Sequence, residues 1–173
     1  VAARTRVGRF RSLFQFCETV DQRSLNKRVI ESLIKAGAMD SLGERWRLWA
    51  AVDRAIEAGQ KVQRSRDAGQ HDLFGGASSA PNGQSPLPEA PVWPESQVLA
   101  GEKEVLGFYL SGHPLRKYQT KLRELGTVDS AGLASVAAQK EVCVGGIIAS
   151  VRVARSKRGE MWASAVLEDL QGT

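Results

Sequence analysis

The chain has few of the residues that most often build reactive centres. Its two cysteines, Cys17 and Cys143, are far apart and match no metal-ligand or compact disulfide spacing. Such sparing use fits a reducing compartment, so the expected location is cytoplasmic. Two histidines, His71 and His113, exclude most His-rich metal centres. No apolar run reaches membrane-spanning length, and no basic-then-apolar leader points to export. A phosphate-binding loop, a catalytic triad, a zinc motif and a metal-binding carboxylate cluster are also missing. No residue is therefore assigned to bond-making chemistry, and no catalytic or metal site is expected within these residues.

What remains is ordinary in bulk and uneven in detail. The length of 173 residues gives room for one or two small domains, and 42% hydrophobic with 25% charged residues suits a globular fold. Residue 1 is Val, and the chain stops just after a strand-like run, so it reads as a piece of a longer protein. The net charge of +5 sits at one end. Residues 1–67 hold 14 Lys/Arg against 8 Asp/Glu (net +6), whereas residues 68–173 hold 10 against 11 (net −1). A basic N-terminal part suits a polyanion such as nucleic acid, or simply presents a solvated surface.

Residues 24–36 have Leu25, Val29, Ile30, Leu33 and Ile34 on one face at helical spacing. Ser24 is placed to cap the start, and Gly37 to end the helix in the left-handed conformation. Ser41-Leu42-Gly43-Glu44 has the capping-box pattern, and a second helix is expected over roughly 44–64 with Trp46, Trp49, Val52 and Ile56 as its apolar stripe. The aromatic cluster of Phe10, Leu13, Phe14 and Phe16 is expected to pack under this helix pair. Residues 75–97 hold five of the six prolines and no Lys or Arg, the composition of a linker or long loop. Helical patterns return at 96–111 and 116–125. From Glu141 the period changes to that of strands, with Gly145-Gly146 suggesting a bulge or bend. Lys157-Arg158-Gly159-Glu160 reads as a hairpin turn, and Met161 to Glu168 as the return strand.

Two stretches carry recognition chemistry. Two helices joined by a glycine-bearing turn can hold DNA by its backbone, because glycines allow close approach and helix-terminal amides point at phosphate oxygens. Gly37 and Gly43 are placed for this, with Lys35, Arg45 and Arg47 as phosphate partners. Equally, the pair can be a helical hairpin that merely packs. Gln70-His71-Asp72-Leu73-Phe74 sets two large apolar residues in a polar, proline-flanked stretch. Such a peptide can dock Leu73 and Phe74 into a partner's apolar pocket while Gln70 fixes the register, or it can fold back onto its own domain. Other constellations favour plain structural roles: Glu102 and Glu104 lie on different helix faces, solvated and not an acid/base pair, with His113 in a loop and Cys17 buried and inert. Arg155, Lys157 and Arg158 either touch phosphate or keep a strand edge soluble.

Four ordered segments, Phe10 to Cys17, Leu25 to Gly43, Glu102 to Leu115 and Val142 to Gly172, together resemble the C-family replicative DNA polymerases, the bacterial DNA polymerase III alpha subunits. Residues Glu102 to Leu115, which run EKEVLGFYLSGHPL, resemble a signature of that family. Phe10 to Cys17 is similar to its phenylalanine–serine–leucine stretch, Leu25 to Gly43 to its second helix–hairpin–helix, and Val142 to Gly172 to the opening strands of its OB-fold. Arg9 departs from the pattern, standing where the family usually has Pro. The family has an error-prone branch as well; Ser111-Gly112-His113-Pro114 and the intact docking peptide look more like its main replicative branch.

The resemblance implies a mainly α fold (a helix–hairpin–helix module plus further helices) with a C-terminal β segment like the start of an OB-fold. The implied divisions are a DNA-binding module at 1–67, a clamp-binding peptide and linker at 68–95, a helical connector at 96–140 and an incomplete OB-fold at 141–173. The parent would be a DNA-directed DNA polymerase, a nucleotidyltransferase of chromosome replication. Its Mg2+ would lie in a palm domain upstream, so no cofactor is expected here. The implied partners are DNA, the ring-shaped sliding clamp (beta subunit) and other polymerase III holoenzyme subunits, with no membrane. Gln70, Asp72, Leu73 and Phe74 match the family's clamp-binding motif residue by residue. The alternative is a free-standing, non-catalytic DNA-binding adaptor that recruits a clamp.

Overall fold

Residues 2–67 and 86–173 are described by a computed structural model, in which the chain divides into two units, Val1–Tyr109 and Leu110–Thr173. The fold is mainly α, with one two-stranded antiparallel sheet near the C-terminus.

The first unit holds α1 (Ala2–Val7), α2 (Leu13–Thr19), α3 (Lys27–Lys35), α4 (Arg45–Asp67) and α5 (Glu95–Leu106). Its core is built from three helix stripes: Leu13, Phe14 and Cys17 of α2, Ile30 and Ile34 of α3, and Leu48, Ala51, Val52 and Ala55 of α4. The α4 stripe falls at i, i+3, i+4 and i+7, the spacing of one helical face. It is not centred as the sequence suggests. Trp46, Trp49 and Ile56 are only partly buried and flank the stripe, while small Ala51, Ala55 and Gly59 are buried at its middle. Small residues let a neighbouring helix approach closely, and α2 lies along this side of α4. Gln63 on α4 donates to the Val20 carbonyl at 2.7 Å, which satisfies backbone at the end of α2.

Caps explain the helix ends. The Ser12 hydroxyl accepts from the Gln15 amide and starts α2. The side chain of Asn26, not Ser24, accepts from the Val29 amide and starts α3; Ser24 closes a 3-10 turn instead. The helix ends as expected at Gly37, with φ +75°. The Gly37 amide donates to Ile34 and the Ala38 amide to Leu33, the paired bonds of a Schellman cap. The capping box at Ser41 does not form. Residues Asp40–Leu42 make a 3-10 turn, and the carbonyl of Glu44 accepts from Arg47 and Leu48 to begin α4.

The second unit holds α6 (Gln119–Glu124), α7 (Ser130–Leu133), β1 (Ile147–Arg155) and β2 (Met161–Glu168). The stretch expected as one helix at 116–125 divides into a 3-10 turn, Pro114–Tyr118, followed by α6. His113 caps the turn, its Nδ1 accepting from the Leu115 amide at 3.2 Å. β1 and β2 pair antiparallel from Ile147↔Glu168 to Arg155↔Met161, turning at Gly159 with φ +87°. The bulge lies between Ile148 and Ser150, downstream of the glycine pair. Gly145 and Gly146 serve close packing instead: a Cβ on Gly146 would meet the Glu168 carbonyl and Leu167, and one on Gly145 would meet Leu122. Asp169 ties the end of the ribbon to α7, accepting from the Ser130 amide, the Ser130 hydroxyl (2.9 Å), and the Gln171 and Gly172 amides (2.7 and 2.9 Å). Burial pushes this carboxyl up, but those four bonds outweigh it and hold the group below the ordinary aspartate value.

Candidate nucleic-acid interface

The five residues expected to meet DNA do come together around the turn between α3 and α4. Each of them is engaged by the chain itself. Arg45 is nearly buried. Its guanidinium forks onto Asp40, with Nε and Nη2 each 2.9 Å from a carboxylate oxygen, while Nη1 donates to Glu102 Oε1 at 2.9 Å. The bonds to Asp40 and then to Glu102 raise the Arg45 pKa further above its ordinary value, so the cation is permanent. Gly37 lies beneath that guanidinium, where any Cβ would collide with Nη2. Gly37 is thus needed twice, for the left-handed turn and for the space Arg45 fills.

Glu102 is the clearest departure from expectation. The sequence puts it on a solvated face of α5; it is fully buried, opposite Arg45. A buried carboxylate requires a partner, and removing one member of such a pair costs about 3–5 kcal/mol. Glu104 is exposed, and it pairs with Lys35 at 2.6 Å. The Lys35 ammonium also lies 5.6 Å from the centre of the Trp49 ring. Arg47 donates to the carbonyls of Leu87 (2.9 Å) and Pro88 (3.2 Å) and pairs with Glu89. Gly43 is covered by Leu87, whose Cδ1 would stand 2.5 Å from an added Cβ. Trp93 packs edge-on to Trp49, with centroids 5.5 Å apart. A returning strap, residues 86–94, and α5 therefore cover the hairpin face. A signal for this exists in the sequence: Glu89, Glu95, Glu102 and Glu104 form an acidic stretch that complements the basic hairpin.

The exposed cations lie elsewhere. Arg4, Arg6, Arg9 and Arg11 are all solvent-exposed, precede the first acidic residue of the chain, Glu18, and take part in no ion pair among the described residues. Arg4 and Arg9 border a half-open groove of about 720 Å3 that runs past Phe10, Leu33, Met39 and Leu42. At the ribbon tip, Arg155, Lys157 and Arg158 are exposed. Gln70, Asp72, Leu73 and Phe74 lie outside the described residues. Cys17 is fully buried, and burial first, then the neighbouring Glu18 charge, pushes its thiol up to about 12. Among the described residues no group of His, Cys, Asp and Glu could hold a metal ion, and no helix is long and apolar enough to cross a membrane.

Residues 1–48 match the helix-hairpin-helix motif family. Over nearly its whole length the chain is similar to proteins named DNA polymerase III subunit alpha. It is 37% identical over 172 residues to that of Vibrio cholerae (98% of this chain, 15% of the relative). It is 34% identical over 175 residues to that of Escherichia coli K12 (99% and 15%), and 38% identical over 173 residues to that of Neisseria meningitidis serogroup B (99% and 14%). The chain thus spans about one-seventh of the length of the curated relatives it matches. With the helix–hairpin–helix motif at its start and similarity from end to end, the chain is similar, as one segment, to the DNA polymerase III alpha subunits.

Proposed function

We propose that this chain is the tethering segment of a replicative DNA polymerase: it contacts DNA through its helix–hairpin–helix unit and docks a sliding clamp through Gln70, Asp72, Leu73 and Phe74. The observation that carries the reading is the collinear match to DNA polymerase III alpha subunits over 98% of the chain. The parent would join deoxynucleotides to a primer, with metal-assisted phosphoryl transfer supplied outside these residues. The segment's own contribution would be physical. Two modest contacts on one chain raise each other's effective concentration, so the polymerase stays with its template. DNA contact through backbone phosphates would be indifferent to sequence and would weaken with salt. Other holoenzyme subunits and a cytoplasmic setting go with the same reading.

The test is binding of this chain to a purified bacterial sliding clamp, beside a variant with Gln70, Leu73 and Phe74 changed to Ala. Binding by the first and none by the second is expected. Equal binding by both would remove the peptide from the assignment.

A further inference from the structure

We propose that the groove bordered by α1 and the α3–α4 turn takes unpaired DNA, with Arg4 and Arg9 holding phosphates at its mouth and its apolar wall receiving a base. The proposal deepens the DNA-binding reading above and rests on it.

The argument starts from which cations are available. Lys35, Arg45 and Arg47 are already engaged, by Glu104, by Asp40 with Glu102, and by the strap carbonyls respectively. Among the described residues Arg4 and Arg9 take part in no ion pair. The α1 helix closes with the Gly8 amide donating to the Arg4 carbonyl at 2.7 Å, and Gly8 then turns with φ +75°. That turn brings Arg4 and Arg9, five residues apart in sequence, to one groove. Arg6 and Arg11 add to the local positive potential. Among the described residues Asp21 is the one acidic residue lining the groove, and its Oδ1 accepts from the Arg23 amide at 2.9 Å.

A basic rim alone would suit any polyanion. The lining behind it selects among them. Phe10 is half-buried with its ring edge-to-face against Phe16, centroids 5.2 Å apart, and Leu33, Met39 and Leu42 continue the apolar surface. Paired DNA keeps its bases stacked inside and offers only phosphate and sugar to such a concavity. An unpaired strand offers a phosphate and an aromatic face together, the combination that basic grooves with aromatic walls hold. The volume of about 720 Å3 lies within the range of small-ligand sites.

The experiment measures anisotropy of a labelled thymidine oligonucleotide of about 15 nucleotides, and of a duplex of equal length, against the full chain. Two variants are compared. Arg4→Glu with Arg9→Glu reverses the rim. Ala2→Leu with Ser41→Leu fills the groove from two exposed lining positions and leaves the core untouched. Single-strand binding is expected to fall about tenfold or more in the rim variant. In the filled variant it should fall while duplex binding is unchanged and the far-ultraviolet circular dichroism matches the parent. Unchanged single-strand binding in the filled variant would overturn the groove, as would parallel loss of duplex and single strand. Duplex binding with no single-strand binding by the parent chain would overturn the groove but keep the DNA-binding reading. No binding of either form would overturn both.

Discussion

The two units solve burial differently. Val1–Tyr109 holds twelve of the thirteen buried apolar residues found among the described residues, eleven of them in one cluster; Leu110–Thr173 contributes only Leu115. In the ribbon the order reverses, with Ile148, Val151, Val153, Met161, Trp162 and Val166 all about half exposed or more. The pattern of each sequence explains why. A 3.6-residue repeat gives a helix one apolar stripe, and three such stripes can close on one another. A strand needs a second layer over its face, and two strands alone supply none. The helical unit is thus held by packing and a buried ion pair, and the ribbon unit by backbone pairing and the bonds of Asp169.

Each unit contains one thiol, buried Cys17 in the first and exposed Cys143 in the second, so thiol labelling reads them separately. In native buffer Cys143 should label at once and Cys17 only through opening of its unit. The largest expected effect is from Arg45→Ala. It removes the cation that faces the fully buried Glu102 carboxylate, costs about 3–5 kcal/mol, and should speed Cys17 labelling by roughly a hundred- to several-thousand-fold with Cys143 unchanged. An unchanged Cys17 rate would mean that the ion pair does not hold the helical unit together. Next is Gly37→Ala, which combines a left-handed φ with a collision against Arg45; a loss of about 1–3 kcal/mol is expected, measured as a lowered denaturation midpoint.

A smaller effect belongs to the ribbon and depends on pH. Because the folded Asp169 carboxyl lies below its ordinary value, its contribution is fully present above about pH 4 and fades as pH falls through the folded value. Amide protection at Ser130, Gln171 and Gly172 should drop on acidification, and Asp169→Asn should flatten that dependence. A profile identical in both proteins would remove the carboxylate from the ribbon's support. The smallest effect is expected for Lys27→Ala. The Lys27–Asp53 pair is short, 2.7 Å, and both side chains are more than half exposed, so labelling of either cysteine should not change measurably.

Local signals in the sequence were readable where local chemistry decides. Gly37 ends α3 as its position suggests, the return strand runs over Met161–Glu168, and Leu13, Phe14 and Phe16 pack beneath the helices, while Phe10 lies at the groove wall instead. The misreadings occur where distant residues decide. Ser24 and Asn26 are both competent caps, and the 3-10 turn at Gln22–Ser24 leaves the role to Asn26. Glu102 looks solvated on its own helix because Arg45, 57 positions earlier, is invisible to a periodicity argument. The candidate DNA residues illustrate the same limit. Their types and spacing fit phosphate contact, but spacing cannot reveal that an acidic stretch returns to meet them.

That return has a mechanical consequence. Arg47, in the first turn of α4, grips the Leu87 and Pro88 carbonyls, whereas the chain leaves α4 at Asp67, its far end. Twenty residues of helix separate these moorings, about 30 Å. Departure and return of the chain are therefore both fastened to one rigid spar. A pull on either mooring would pass into α4 along its axis, and loss of the Arg47 grip would leave the other mooring intact.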